Sequence, residues 1–148
     1  MKRMILPVFV LIALLVFASC TVIVKGDGER HPAYLHALSD LRLARAFLDR
    51  LTPDMQQDAT ETAAIAQINA AIKDIKEAAA EDGKNLNDHP PVDKRLARAD
   101  RFTKTLELLN KVFNDINREE DNVFAKELKK SALGHINKAR NILNGINE

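Results

Sequence analysis

Imidazole and carboxylate side chains are the residues in this sequence whose types and spacing could do chemistry together. Three of the four histidines lie near the ends of predicted helices, and two aspartates lie close to the last of the three in sequence. Imidazole nitrogen and carboxylate oxygen suit a borderline divalent ion such as Zn²⁺ or Cu²⁺. The candidate metal ligands are His31, His36, His89, Asp82 and Asp88. A structural interpretation also applies, because His31 and His89 each precede a proline and can cap helices.

His135 is a second polar candidate, since it falls on the apolar face of the last predicted helix. A histidine in such a position is expected to hydrogen-bond to a neighbour, and Asp40 or loop carbonyls are the expected partners. Arg45 is expected to neutralise an acidic residue between helices, Asp40 among them. A functional polar centre formed by these three side chains is the alternative.

Several motifs that would identify an enzyme or a cofactor are absent from the chain. The sequence contains no Cys-x-x-Cys-His for covalent haem, no Glu-x-x-His for a di-iron site and no Gly-x-Ser-x-Gly. Met55 lies far from the predicted histidine cluster, so a Met/His haem site is poorly supported. We therefore expect a non-enzymatic protein without a cofactor, with Zn or Cu as the alternative and haem a weaker one.

The elements that must position these residues are four amphipathic helices. Apolar residues recur at steps of three and four along residues 32–51, from 53 or 58 to 82, 90–117 and 122–146. Asp58 with Glu61 resembles a capping box, which favours the later start for the second helix. No strand pattern appears. Short predicted loops favour an all-α fold, an antiparallel up-down-up-down four-helix bundle over residues 32–148.

The N-terminal sequence predicts that the protein is exported from the cytoplasm. Lys2 and Arg3 precede an uncharged run, Met4–Val24, that contains Phe-Ala-Ser before Cys20. This order resembles a bacterial lipobox, which implies that Cys20 becomes a lipidated N-terminus. An uncleaved membrane anchor and ordinary signal cleavage are alternatives with the same topology. Residues 1–24 are thus a signal peptide or anchor, residues 25–31 a polar tether, and the body lies on the periplasmic or extracytoplasmic face of a membrane.

The charge and composition of the chain limit the classes of molecule that it is expected to bind. Lys and Arg number 22 against 21 Asp and Glu. Without Lys2 and Arg3 the balance is 20 against 21, so no basic excess is available to attract nucleic acid. With no Trp and one Tyr, platforms for base stacking are scarce. The expected partners are the membrane, through the N-terminal anchor, and an envelope protein or small ligand.

Two sequence blocks carry resemblances. HPAYLHALSDLR at residues 31–42 and EDGKNLNDHPP at residues 81–91 resemble blocks of an uncharacterised exported bacterial helical family. LTPDMQ at residues 51–56 is similar to the Leu-Thr-x-x-Gln motif of small periplasmic chaperones and metal-stress sensors, with Gln one position later. The first resemblance implies an exported helical bundle and no known activity.

Overall fold

The computed structural model describes residues 32–49, 55–79, 84–117 and 123–145, which form four α-helices and, within those ranges, no strand. The helices are α1 (Pro32–Leu48), α2 (Ala59–Ala78), α3 (Arg98–Asn117) and α4 (Val123–Asn144). The all-α prediction is therefore confirmed. The predicted signal or anchor, with Cys20, lies outside the described residues, as do His31 and Asp82.

The start of α2 is fixed by a reciprocal pair of hydrogen bonds. The Glu61 backbone N–H donates to Asp58 Oδ1 at 2.8 Å, and the Asp58 N–H donates to Glu61 Oε2 at 3.0 Å. Each bond satisfies a backbone donor that has no partner inside the helix. The helix therefore begins just after Asp58, which confirms the capping box and the later of the two predicted starts.

The predicted start of α3 at Pro90 is wrong, since the helix begins at Arg98. Two prolines remove two backbone donors and restrict the residue before each of them. Asp93 then forms a local turn: its Oδ1 accepts the Arg95 N–H at 2.9 Å, and its carbonyl accepts the Leu96 N–H at 3.4 Å. These bonds compete with helix formation. Residues 84–97 are instead a non-helical connection, here called the crossover segment.

The predicted up-down-up-down order is wrong for α3, which runs opposite to α1. Arg101 donates to the Phe47 carbonyl, Thr105 to the Ala44 carbonyl, and Lys111 to an Asp40 carboxylate oxygen. Residue numbers therefore rise along α3 as they fall along α1. Within the described ranges, α1 and α4 each pack against α2 and α3, whereas the backbones of α2 and α3 lie diagonally apart and the two helices meet only through side chains. The crossover segment thus returns the chain to the end at which α2 begins.

One apolar core lies between the four helices. The stripe predicted for α1 is buried at Ala37, Leu41, Ala44 and Leu48, and α4 buries Ala132, Ile136, Ala139 and Leu143. The α3 stripe is buried at Phe102, Leu109 and Ile116, whereas its predicted first members lie in the crossover segment or at the exposed start of the helix. Burial of this periodic face is what holds such helices together.

Candidate functional site

The crossover segment lies along α1 and leaves two clefts between them. The first, here the major cleft, has a volume of about 400 Å³. It is lined by Leu35, Ser39, Arg42, Lys84, Asp88, His89 and Pro90. The second, here the minor cleft, has a volume of about 220 Å³ and is lined by Arg45, Ala46, Asp49, Asn87, His89, Val92 and Lys94. His89 borders both clefts.

His89 is held in one orientation by its own backbone neighbour. Its Nδ1 lies 2.7 Å from the Pro90 carbonyl oxygen. A carbonyl oxygen only accepts, so Nδ1 carries the proton that is donated, and Nε2 has a lone pair in the neutral ring. Nε2 can therefore accept a hydrogen bond or bind a metal, and it becomes a donor when the ring is protonated.

Cationic side chains dominate the walls of the major cleft. Arg42 is 1% exposed, and its Nη2 donates to the Lys84 carbonyl at 3.4 Å. The Lys76 ammonium donates to the same carbonyl at 3.2 Å, which ties the start of the crossover segment to both α1 and α2. The Lys84 ammonium lies 3.4 Å from the Asp88 carboxylate, and both side chains are at least half exposed. Water screens such an exposed pair, so it holds the segment only weakly.

The minor cleft contains a buried donor. Arg45 pairs with Asp49 at 3.2 Å through Nη2. Its Nε is buried and has no hydrogen-bond partner among the described residues. A buried donor without a partner is costly, and its environment favours an acceptor. Arg45 therefore binds an acid on its own helix, and the expectation that it neutralises Asp40 is wrong.

The candidate metal ligands are only partly covered by the described ranges. His36 is exposed on α1, and the neighbouring residues Asp88 and His89 both line the major cleft. Within those ranges no group of three or more His, Cys, Asp or Glu side chains is arranged to hold a metal ion. Because His31 and Asp82 lie outside them, the five-residue metal site stays a prediction.

His135 joins α4 to α2 rather than to Asp40. Its Nδ1 lies 2.8 Å from Gln67 Oε1, and its Nε2 lies 3.9 Å from Asp74 Oδ2. An amide oxygen accepts, so Nδ1 donates and the neutral ring presents a lone pair towards the carboxylate. That carboxylate oxygen is buried and has no hydrogen-bond partner in the described part of the chain. The predicted centre of His135, Asp40 and Arg45 is therefore not assembled, and Asp40 instead accepts from Lys111 at 2.7 Å.

A buried ion cluster at the start of α2 and α3 escaped sequence reasoning. Glu61 and Arg101 are each 3% exposed, and their charged groups lie 3.7 Å apart. Arg98 reaches the Glu61 carboxylate at 3.1 Å and also contacts Asp58. Burial raises the pKa of Glu61 above its usual value, and the nearby Arg101 lowers it by less. The capping box was the one signal for this cluster in the sequence, because it indicated that Glu61 lies at the start of α2. In the structure two arginines of α3 converge at that point.

The same cluster completes the end of α1. Arg101 donates to the Phe47 carbonyl at 2.9 Å, and the Gln57 side-chain amide donates to the Leu48 carbonyl at 3.1 Å. The last carbonyls of a helix have no partner inside it, so these donors from α3 and the α2 entry satisfy them. We interpret this cluster as structural, because its buried charges have partners within the fold.

Arg98 and Arg140 each lie over an aromatic ring. The Arg98 guanidinium is 4.8 Å from the Phe102 ring centre, and that of Arg140 is 5.3 Å from the Phe113 ring centre. Both are cation–π distances. These two arginines stabilise helix packing at the surface, which leaves the clefts beside α1 as the better candidate for ligand binding.

Comparison with protein-family models, curated proteins and solved structures finds no match to this chain. The two resemblances in the sequence therefore stay predictions. Across the described residues, no helix is both long enough and apolar enough to span a bilayer.

Proposed function

We propose that this protein is a non-enzymatic cell-envelope protein, attached to a membrane at its N-terminus, whose helical body binds a small ligand or a protein partner in the major cleft. The location is supported by Lys2 and Arg3 before the uncharged run that contains Cys20. That order is typical of an exported lipoprotein. The packing of α1 against both α2 and α3 supports the placement of such a site beside α1.

The observation that carries the binding proposal is the major cleft itself. Its volume of about 400 Å³ falls within the range of about 300–1,000 Å³ that is usual for ligand sites. Its walls come from α1 and from the crossover segment, which lie far apart in the chain. Apolar atoms of Leu35 and Pro90 stand beside the charged groups of Arg42 and Lys84. This mixture is typical of sites that orient a small molecule.

A binding role is favoured over catalysis by the way His89 is held. Its Nδ1 bonds to a backbone carbonyl, whereas a catalytic base is usually oriented by a carboxylate and bonded to a nucleophile. The second candidate function is metal binding, with Zn²⁺ or Cu²⁺ at His31, His36 and His89. The available lone pair on His89 Nε2, next to Asp88, favours it. Metal analysis of the purified chain and of His89→Ala tests that alternative: about one ion per chain, lost in the variant, would support it.

The absence of tryptophan from the chain permits a reporter experiment. Leu35→Trp places a single fluorophore in the wall of the major cleft, and Asn110→Trp places a control at an exposed position of α3. Both full-length variants are titrated with small organic anions, cations and neutral sugars. A ligand that changes the emission of Leu35→Trp alone supports the proposal. No change with any compound at millimolar concentration contradicts the binding of a small ligand there.

A further inference from the structure

We infer that His135 and Asp74 form a binding site for a borderline divalent metal ion such as Zn²⁺ between α4 and α2. The two side chains come from different helices, and His135 Nε2 lies 3.9 Å from Asp74 Oδ2. The described lining of the major cleft comes instead from α1 and the crossover segment. The inference therefore goes beyond the proposed function, and the site also differs from the alternative metal site at His31, His36 and His89.

The two facing atoms of the pair are both acceptors. The Asp74 oxygen is buried and has no hydrogen-bond partner in the described part of the chain. His135 Nδ1 donates to Gln67 Oε1 at 2.8 Å, which leaves the lone pair of the neutral ring on Nε2. A lone pair opposite a carboxylate oxygen is repulsive, and a buried acceptor without a donor is costly. A cation bound to both atoms relieves both effects.

The separation of the two atoms suits an ion that bonds to both. Zn²⁺ binds imidazole nitrogen and carboxylate oxygen at about 2.0–2.2 Å. Two ligands at such a distance lie about 3.4 Å apart in a tetrahedral arrangement and about 4.1 Å apart when they are opposite each other. The observed 3.9 Å lies between these limits. Side-chain rotation that closes the gap by about 0.5 Å gives the tetrahedral arrangement.

Gln67 supplies the orientation that a metal-binding histidine needs. In such sites the ring nitrogen that does not bind the metal donates to an oxygen, which fixes the ring and its tautomer. Gln67 Oε1 accepts this bond from His135. The two candidate ligands remain partly open to water, since the His135 side chain is 28% exposed and that of Asp74 is 16% exposed.

Water must complete the coordination of the ion. Within the described ranges no third His, Cys, Asp or Glu side chain joins the pair. The site is therefore open and should bind Zn²⁺ more weakly than a structural site with four protein ligands. The imidazole ligand favours Zn²⁺ over Mg²⁺, which prefers oxygen ligands alone.

The test uses the full-length chain in a nonionic detergent, with Zn²⁺ alone as the probe. The chain has four histidines, so replacing the other three by Ala leaves His135 as the only imidazole. Circular dichroism checks that this single-histidine variant folds. We expect it to bind about one Zn²⁺ per chain by isothermal titration calorimetry, and to bind Mg²⁺ at least about tenfold more weakly. No Zn²⁺ binding by the folded variant would overturn the site.

Further substitutions in the single-histidine variant test the second ligand and the orienting side chain. Asp74→Asn should weaken Zn²⁺ binding about tenfold or more, because it replaces a carboxylate ligand by an amide. Gln67→Ala should weaken it about tenfold through the orientation of the ring. Asp100→Asn is the matched control, since Asp100 is exposed in the first turn of α3. Equal affinities of the Asp74 and Asp100 variants would overturn the proposal, because His135 would then bind the ion without Asp74.

Nitrogen-15 magnetic resonance of the remaining imidazole identifies the binding atom. Before Zn²⁺ is added at neutral pH, the proton should be on Nδ1 and the lone pair on Nε2. Zn²⁺ should then shift the Nε2 resonance while Nδ1 keeps its proton. A proton on Nε2 in the metal-free protein, or a change at Nδ1 alone, would overturn the site. Such a failure would leave the proposed function intact, because ligand binding in the major cleft is measured separately with Leu35→Trp.

Discussion

Replacing Arg101 by Met should destabilise the fold by about 3 kcal/mol. The side chain is 3% exposed, bonds to the Phe47 carbonyl at 2.9 Å and lies 3.7 Å from the Glu61 carboxylate. A buried carbonyl that loses its donor costs about 1–3 kcal/mol. Removing one member of a buried ion pair costs about 3–5 kcal/mol, because the other charge is left without a partner.

Two features of the cluster place the expected loss below the sum of these two costs. Arg98 still reaches Glu61 at 3.1 Å in the variant, and the Arg101 Nε, which has no hydrogen-bond partner within the described ranges, is removed with the side chain. Methionine also fills most of the space of the arginine stem. The loss should therefore come mainly from the Phe47 carbonyl and from the weakened neutralisation of Glu61.

Urea unfolding followed by far-UV circular dichroism measures this loss by linear extrapolation. Arg95→Met is the matched control, since Arg95 is exposed in the crossover segment. It should change the free energy of unfolding by no more than about 0.5 kcal/mol. A loss of under about 1 kcal/mol for Arg101→Met, or equal losses for the two variants, would refute the reasoning that the buried cluster holds α1, α2 and α3 together.

Four further predictions test other parts of the account. Burial raises the pKa of Glu61 in the folded protein, so its protonated form favours folding. This contribution to stability should be fully present below the usual pKa of 4.5 and should be lost as pH rises through the raised pKa of the folded state. Wild type should therefore gain stability relative to Glu61→Gln as pH falls through that window, and a constant difference in urea midpoint would contradict this. Asp74→Asn should be neutral or stabilising at neutral pH, because an amide N–H can donate a hydrogen bond to His135 Nε2. His135→Ala should instead cost about 1 kcal/mol of stability, because the Gln67 side chain loses its hydrogen-bond partner. If thermal denaturation shows that Asp74→Asn is the more destabilising of the two variants, the assigned proton positions are wrong. Cys20→Ser should prevent lipid attachment, as mass spectrometry and membrane fractionation would show, and unchanged mass and retention would favour an uncleaved anchor. Residues 25–148 alone should be soluble and mainly helical by circular dichroism, and a spectrum dominated by strand or coil would contradict the bundle.

The sequence predicted each helix better than it predicted how the helices are connected. Periodicity says which face of a helix is buried, so the stripe of α1 and the core residues of α4 were identified correctly. It does not say which helix covers that face. The start of α3 was placed too early because Val92 and Leu96 continue its apolar period, while the prolines and the Asp93 turn prevent a helix there. The direction of α3 was wrong for the same reason.

The sequence identified some residues of the candidate site by their chemical type, but it did not indicate how they are arranged in space. His89 and Asp88 were identified from their chemical types, and both line the major cleft. Arg42 was not, because an arginine on a helix is usually a surface residue, and its burial depends on the crossover segment passing over α1. Likewise, nothing in the sequence indicated that His135 would form a hydrogen bond with Gln67. Contacts between residues distant in the chain follow from topology, which composition and spacing leave open.

The location of ligand binding is tested most directly by nuclear magnetic resonance of the isotope-labelled full-length chain, titrated with the compound that changes the emission of Leu35→Trp as the probe. The account predicts that amide shifts change along residues 35–48 of α1, at Asp49 and along residues 84–94 of the crossover segment, which together line the two clefts. Amides of α4 around His135 should not respond. Shift changes confined to α3 and α4, or none at saturating probe, would contradict the claim that this protein binds its ligand between α1 and the crossover segment.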